Sequence, residues 1–588
     1  MRKLKVLLIL FIISISFTFS DNKSIVTQSA NTVIDVLEGR TFERHLTPFM
    51  IDIARNGHLL PEDTKIKLIS FGFDFSNETV IMTRSTYYDY YYDTEHFRIH
   101  YDLMGTNAVD NTDSDSDSVP DYIETVAREF ENVYEHEINV LGYSAPPKDG
   151  TIGGGMNKYD IFVKYTNAYG WTNWIYPAVG DNENSVEKEL NAYSSYITIR
   201  NNYTSGGFPN TELENIQVTA GHEFFHMIQF GYDGEEVRWL MEATAVWMEE
   251  ETYDDVNDCY QYMIPWFENP HYSLNRSNGL HQYGSYIFFK YVDEHLGGTD
   301  IIKKIWEQSR IFDSTQDDFS IQSIDLALKS KNHTFKKALN NMAIANCILS
   351  SDNSAGQYSY EEAVGYHNYR EESYYDTSSI KLGIYNSENF ENGNQNTIQS
   401  NNLQQYGSQY IKINSTDPVK VSMIKPTGDN NPINNLTLHT IIKSNSGNYE
   451  VQSGNTLNID PDSNTEWIYA VVVASGDVGI SYNYDLSFTD GIKNTITDFT
   501  ILSQFPNPFN STTTIKLKVI NPQNVDIIVY DMLGRKIDTI FSGYLQNGSY
   551  EYSWSGVNAN NEKVSSGIYY ITAVSDNRQE WKKITLVK

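Results

Sequence analysis

Residues 220–250 read AGHEFFHMIQFGYDGEEVRWLMEATAVWMEE, with His222 and His226 four positions apart and Glu223 following the first. On a helix that spacing sets both imidazoles on one face, one turn apart, where together they can hold one tetrahedral zinc. Glu223 is then the natural base for a zinc-bound water. A catalytic zinc takes a third protein ligand. Past a loop-like FGYDGEE, a second helix, WLMEATAVWMEE, presents Glu242, sixteen residues beyond His226. A short turn folds this helix back along the first, and Leu240, Ala243 and Trp247 mark an apolar face beside which Glu242 lies. Glu249 and Glu250 compete for the same role. The bland alternative is an ordinary amphipathic helix pair with surface carboxylates.

Working outward, short strands (HFRIHYDL, YDIFVKY, SSYITIR) alternate with helical runs such as DYIETVAREFENVYEHEINVLGY. This pattern predicts an α+β domain over residues 93–372, the one that carries HEFFH. Residues 373–494 lose helical periodicity and read as a β-sandwich accessory domain, followed by an Ig-like all-β domain over 495–588. The first 20 residues, with a basic start and an apolar run, have the pattern of a signal peptide. Residues 21–92 carry a helix-like TFERHLTPFMIDIARNG and the Tyr-rich STYYDYYYDTEH, and read either as a removable pro-region or as an integral subdomain.

Forty-three basic against 76 acidic residues in 588 leave a net charge of −33, which excludes nucleic acid as a partner and suits divalent cations. No later segment is long and apolar enough to span a bilayer, so no transmembrane helix is expected in the mature protein. Cys259 and Cys347, the two cysteines, allow one bridge at most and exclude a Cys-ligated metal site.

The run DSDSDSVPDYIE places Asp113, Asp115, Asp117, Asp121 and Glu124 at positions 1, 3, 5, 9 and 12 of an EF-hand-like loop, with Val119 able to offer its carbonyl. Calcium chemistry is expected there, although Ser118 stands where glycine is usual. The alternative is a solvated acidic linker.

HEFFH followed by WLMEATAVWMEE resembles the gluzincin metallopeptidases, in which a glutamate on the next helix completes a two-His, one-Glu zinc site. That likeness implies His222, His226 and Glu242 as ligands. The Trp-Leu-x-Glu-Ala opening is similar to the aminopeptidase branch, and HQYGSYIFFKYVDEHLGG resembles the segment carrying that branch's oxyanion-stabilising tyrosine. Tyr283 is the candidate on that alignment, with Tyr286 the alternative. Two departures matter: GGGMN at 153–157 lacks the glutamate with which aminopeptidases read a free amine, which turns the expectation towards an endopeptidase; and Val246 stands where thermolysin-like relatives have an aspartate that orients a zinc-bound histidine. Residues 95–350 also resemble a group of secreted, mostly uncharacterised bacterial metallopeptidase-like proteins. FPNPFNSTTTIKLKV, VYDMLGRKI and the closing KKITLVK resemble the C-terminal sorting domain of type IX secretion, which implies export across both membranes to the cell surface or medium, with the secretion machinery as a partner.

These features predict a secreted zinc peptidase acting on proteins or peptides, with Zn2+ catalytic and Ca2+ structural. The rivals are a non-catalytic surface adhesin on a vestigial zincin fold and an aminopeptidase. On this reading Glu242→Ala lowers zinc affinity by orders of magnitude and the same change at Glu249 does not.

Overall fold

The runs YDIFVK and SYITIR are rich in β-branched and aromatic residues and are buried along almost their whole length, which suits strands covered on both faces. The computed structural model describes residues 22–587 apart from 77–78, 83–87, 151–156, 176, 205–207, 278, 312–318, 367–381, 426–432, 477–480, 493–498 and 576–578. The signal-peptide segment, most of GGGMN and the expected boundaries near 372 and 494 lie outside the described residues.

The N-terminal segment forms α1 (22–37), α2 (Thr47–Asn56) and α3 (Glu62–Ser70). A five-stranded sheet follows, built from β1 (Tyr90–Asp93), β2 (Phe97–Tyr101), β3 (Tyr159–Lys164), β4 (Gly170–Trp174) and β5 (Ser195–Arg200) in the order β1-β2-β3-β5-β4. The central strands β2, β3 and β5 are parallel, with Ile99 opposite Ile161 and Ile161 opposite Ile197. The outer strands β1 and β4 run antiparallel to their neighbours. Crossover α4 (Asp121–Tyr134) and then α5 (Glu212–Asp233) pack on the sheet.

These strands are buried on both faces because the N-terminal segment covers the second one. Trp171 is fully buried in that segment's own core with Val33, Leu46 and Ile53. Further along, the Tyr196 hydroxyl donates to the Met82 carbonyl at 2.8 Å and Phe162 meets Tyr88 at 5.5 Å between ring centroids. Residues 22–92 are thus built into the body of the molecule.

Helices α6 (Arg238–Thr252), α7 (Tyr260–Glu268), α8 (His281–Gly284), α9 (Tyr286–Val292), α10 (Thr299–Ser309), α11 (Ser320–Lys329) and α12 (Phe335–Ile348) complete the helical layer. Beyond them a five-stranded and a four-stranded sheet form a sandwich, and Tyr410, Ile441, Val471 and Val473 of its first sheet join the helical domain's core. The chain divides into two units, residues 1–491 and 492–588. In the second, a three-stranded and a four-stranded sheet enclose Trp554, Ile527 and Ile571. The chain is therefore multidomain, with an α/β N-terminal region, all-β sheets towards the C-terminus and an Ig-like domain at the end. Among the described residues no helix is long and apolar enough to cross a membrane. Cys259 and Cys347 are both buried free thiols, so the bridge allowed by the sequence is not formed.

Candidate metal centre

Thr211 starts α5 with a capping box: its hydroxyl accepts from the Glu214 amide while the Glu214 carboxylate accepts from the Thr211 amide. The helix then runs unbroken through HEFFH to Asp233. FGYD, which the sequence suggests is loop, is helical; Gly231 sits there because a Cβ would come within 3.1 Å of Asn182 and Pro147. The connection shrinks to residues 234–237, and α6 returns along α5, buried all round from Trp239 to Glu250. An amphipathic face is absent because α8 and α9, as well as α5, pack against α6.

This return brings Glu242 between the two histidines. His222 Nε2 and His226 Nε2 lie 3.0 Å apart, and the Glu242 oxygens lie 3.5 Å and 3.3 Å from them. A tetrahedral zinc with ligands at 2.0–2.1 Å spaces those ligands about 3.3 Å from one another, so the residues fit the ion. All three are wholly buried, and both Glu242 oxygens lack a hydrogen-bond donor, as expected of a carboxylate shaped for a cation. Burial opposes charge on His222, yet Glu242 and Glu249 together push its imidazole up to about 10; the two histidines in turn hold Glu242 below the usual carboxylate range against its own burial.

The far edge of each imidazole is also held. His222 Nδ1 meets Glu249 Oε1 at 2.6 Å, and His226 Nδ1 meets Gln229 Oε1 at 2.7 Å. Gln229 is fixed in turn by donating to the Met241 carbonyl and the Thr244 hydroxyl. Such partners orient metal-binding histidines. They supply what Val246 cannot, and Glu249 stands behind His222 rather than at its Nε2. Gln229 is legible as the residue one turn after His226; Glu249 was visible only as a rival ligand.

Glu223 is wholly buried, and its Oε2 accepts from the hydroxyls of Thr172, at 2.8 Å, and Thr47, at 2.9 Å. Tyr283 lies on α8 at the same centre, its phenol held up first by burial and then by the charge of Glu242. Tyr286 points elsewhere and donates to the Tyr366 hydroxyl at 2.8 Å. His45 belongs to no local motif, yet its ring stacks on His222 with centroids 3.7 Å apart and its Nδ1 lies 3.6 Å from Glu223 Oε1. A segment far from α5 in the chain supplies it, as it supplies Thr47, which stands 176 positions from Glu223.

Two further groups gather ligand atoms. Glu250, Cys259 and Glu362 bring theirs within 4.8 Å, with the Cys259 thiol donating to Glu250 Oε2 at 2.9 Å. Lys290, 3.9 Å from Glu362, already supplies a cation there. Asp113, Asp115 and Asp117 form the other group. Ser118 takes a φ of 80°, the left-handed conformation that glycine serves in such loops. Asp121 turns to Ser114, accepting from its amide at 2.8 Å, and burial followed by the neighbouring aspartates raises the Glu124 carboxyl. The Val119 amide donates to Asp117 at 2.8 Å.

A family of unknown function, DUF6055, matches residues 64–502, and the chain belongs to that family. An FlgD Ig-like domain matches residues 507–579. No functionally curated protein matches the chain. Among solved structures, PorZ, an essential surface component of the type IX secretion system of Porphyromonas gingivalis, is similar at 13% identity over 18% of this chain and 14% of its own, with a TM-score of 0.12. Dimeric latent PorU from the same organism is similar at 16% identity over 29% and 18%, with a TM-score of 0.16. A calcium-binding mutant of Bacteroides uniformis β-glucuronidase 2 is similar at 13% identity over 29% and 26%, with a TM-score of 0.14. The chain spans between 14% and 26% of the length of these proteins, and such scores bear on neither the body nor its site.

Proposed function

We propose that the protein is a secreted zinc-dependent peptidase of zincin type, acting as an endopeptidase on proteins or peptides. The observation that carries this is the convergence of His222, His226 and Glu242 at 3.0–3.5 Å with Glu249 and Gln229 behind the two imidazoles. His222 Nε2, His226 Nε2 and the Glu242 carboxylate would hold the ion. Bound zinc supplies Lewis-acid polarisation of a peptide carbonyl and a water acidic enough to react near neutral pH. Glu223 accepts the proton and returns it to the leaving amine, its carboxylate aimed by the Thr172 hydroxyl. Tyr283 donates to the developing oxyanion.

Asp113, Asp115 and Asp117, joined by Asp121, Glu124 and the Val119 carbonyl once a cation draws them in, form a structural calcium site on this reading. The signal-peptide pattern and the sorting-domain likeness of the tail support export to the cell surface or medium through type IX secretion. Glu223→Gln tests the chemistry: the amide fills the same volume but cannot take up a proton, so zinc should stay bound and peptide hydrolysis should fall at least about a hundredfold. Near-normal turnover in that variant removes the mechanism.

A further inference from the structure

Residues 43–46 extend the sheet past its edge strand β4, and Thr47 opens α2 directly after them. The Glu43 amide donates to the Asn167 carbonyl at 3.1 Å, the Tyr169 amide to the Arg44 carbonyl at 2.9 Å and the Leu46 amide to the Gly170 carbonyl at 3.3 Å, and His45 bridges Gly170 in parallel. An extended peptide recognised by strand addition would use these same edge groups. Their side chains are placed with equal definition. His45 fills the space over His222 and Glu223 and faces Tyr283, with 5.6 Å between centroids, while the Thr47 hydroxyl engages Glu223. Arg44 enters a pocket made by the body of the molecule. Its guanidinium pairs with Asp258, which is 7% exposed, and lies over the rings of Tyr169 at 5.1 Å and Tyr262 at 5.9 Å. Asp258 is further fixed by Asn210 at 2.7 Å and Gln261 at 2.8 Å. The pocket walls lie within the family-matched residues 64–502, whereas Arg44 precedes them.

A buried carboxylate with two aromatic rings beside the guanidinium it pairs is shaped for a planar cation rather than for a compact ammonium. We propose, resting on the peptidase reading above, that residues 43–47 act as a built-in pseudosubstrate that keeps the site latent, and that the Asp258–Tyr169–Tyr262 pocket is the subsite for an arginine side chain of the peptide substrate. The segment is not itself turned over because the His45 ring, stacked on His222 and 3.6 Å from Glu223 Oε1, stands where a scissile carbonyl would lie.

The test uses the full chain. Arg44→Ala should bind N-acetyl-arginine amide saturably by calorimetry, about tenfold or more tighter than N-acetyl-lysine amide. Wild type, with the pocket filled, should bind neither, and adding Asp258→Asn to Arg44→Ala should abolish binding. The Arg44→Ala, His45→Ala double variant should hydrolyse arginine-containing peptides at least about tenfold faster than wild type, and faster than the same peptides with norleucine in place of arginine. No saturable binding by an Arg44→Ala protein with wild-type zinc content and a cooperative melt overturns the inference, as does equal gain on both peptide sets. Binding with no hydrolysis of any peptide by any variant supports the pocket and overturns the peptidase reading instead. Should Arg44→Ala fail to fold, His45→Ala alone, which leaves the Arg44–Asp258 pair intact, decides by turnover: above wild type supports latency, at wild-type level overturns it.

Discussion

Glu242 and Glu249 stand two helical turns apart on one face of α6 and meet opposite edges of the same imidazole, His222 Nε2 and Nδ1. One would bind the metal and the other would aim the ring, and the two roles differ in size. Glu242→Ala removes a ligand and should lower zinc affinity by several orders of magnitude. Glu249→Gln weakens only the orientation of His222 and should lower it by about 10–100-fold, measured by competition with a chelator of known affinity. Equal loss in the two variants would mean that both carboxylates ligate. The ligand spacing was legible at this scale because i and i+4 on a helix is a local rule; His45, Thr47 and Thr172 were not, because strand order and a distant segment bring them in.

Among the elements, the acidic loop leading into α4 is tied by its own amides: Asp113 accepts from Ser116 at 2.8 Å and Ser118 at 3.0 Å. Ser118 pays a steric penalty at a φ of 80° that glycine avoids. Ser118→Gly should therefore stabilise the body by about 1 kcal/mol, read as a higher Tm by calorimetry. Calcium added after chelation should raise Tm in wild type and variant alike; an unchanged Tm marks a solvated linker. The loop's ligand order could be read in the sequence because it is contiguous. The helix pair was read one turn short, since Gly-Tyr-Asp-Gly carries a turn composition while Gly231 in fact serves close packing. The exposed face expected on α6 was lost to burial by helices far along the chain.

Across the whole molecule, the sandwich and the helical layer share one core, and polar contacts reinforce it. Tyr410 donates to the Ala343 carbonyl at 2.9 Å, and His439 lies 2.7 Å from both Asn340 and Ser453. Burial pushes the His439 imidazole down to about 4 from its usual 6.5. The folded state then binds fewer protons than the unfolded one, so the stability it contributes is present above pH 6.5 and is lost as pH falls towards 4. The loss amounts to about 3 kcal/mol, and His439→Gln should flatten the decline of Tm over that window. A wild-type slope in that variant would assign the acid sensitivity elsewhere. Two β-domains were legible from alternation and turn residues, but the fusion of the first with the helical layer was not, because the joining residues Tyr410, Ile441 and Val471 have no local signature.

The metal centre itself is tested most directly by anomalous diffraction at the zinc edge on crystals of the full chain. A single strong peak should lie about 2.0–2.2 Å from His222 Nε2, His226 Nε2 and a Glu242 oxygen. A peak at another ligand cluster, or none at saturating zinc, would contradict the site.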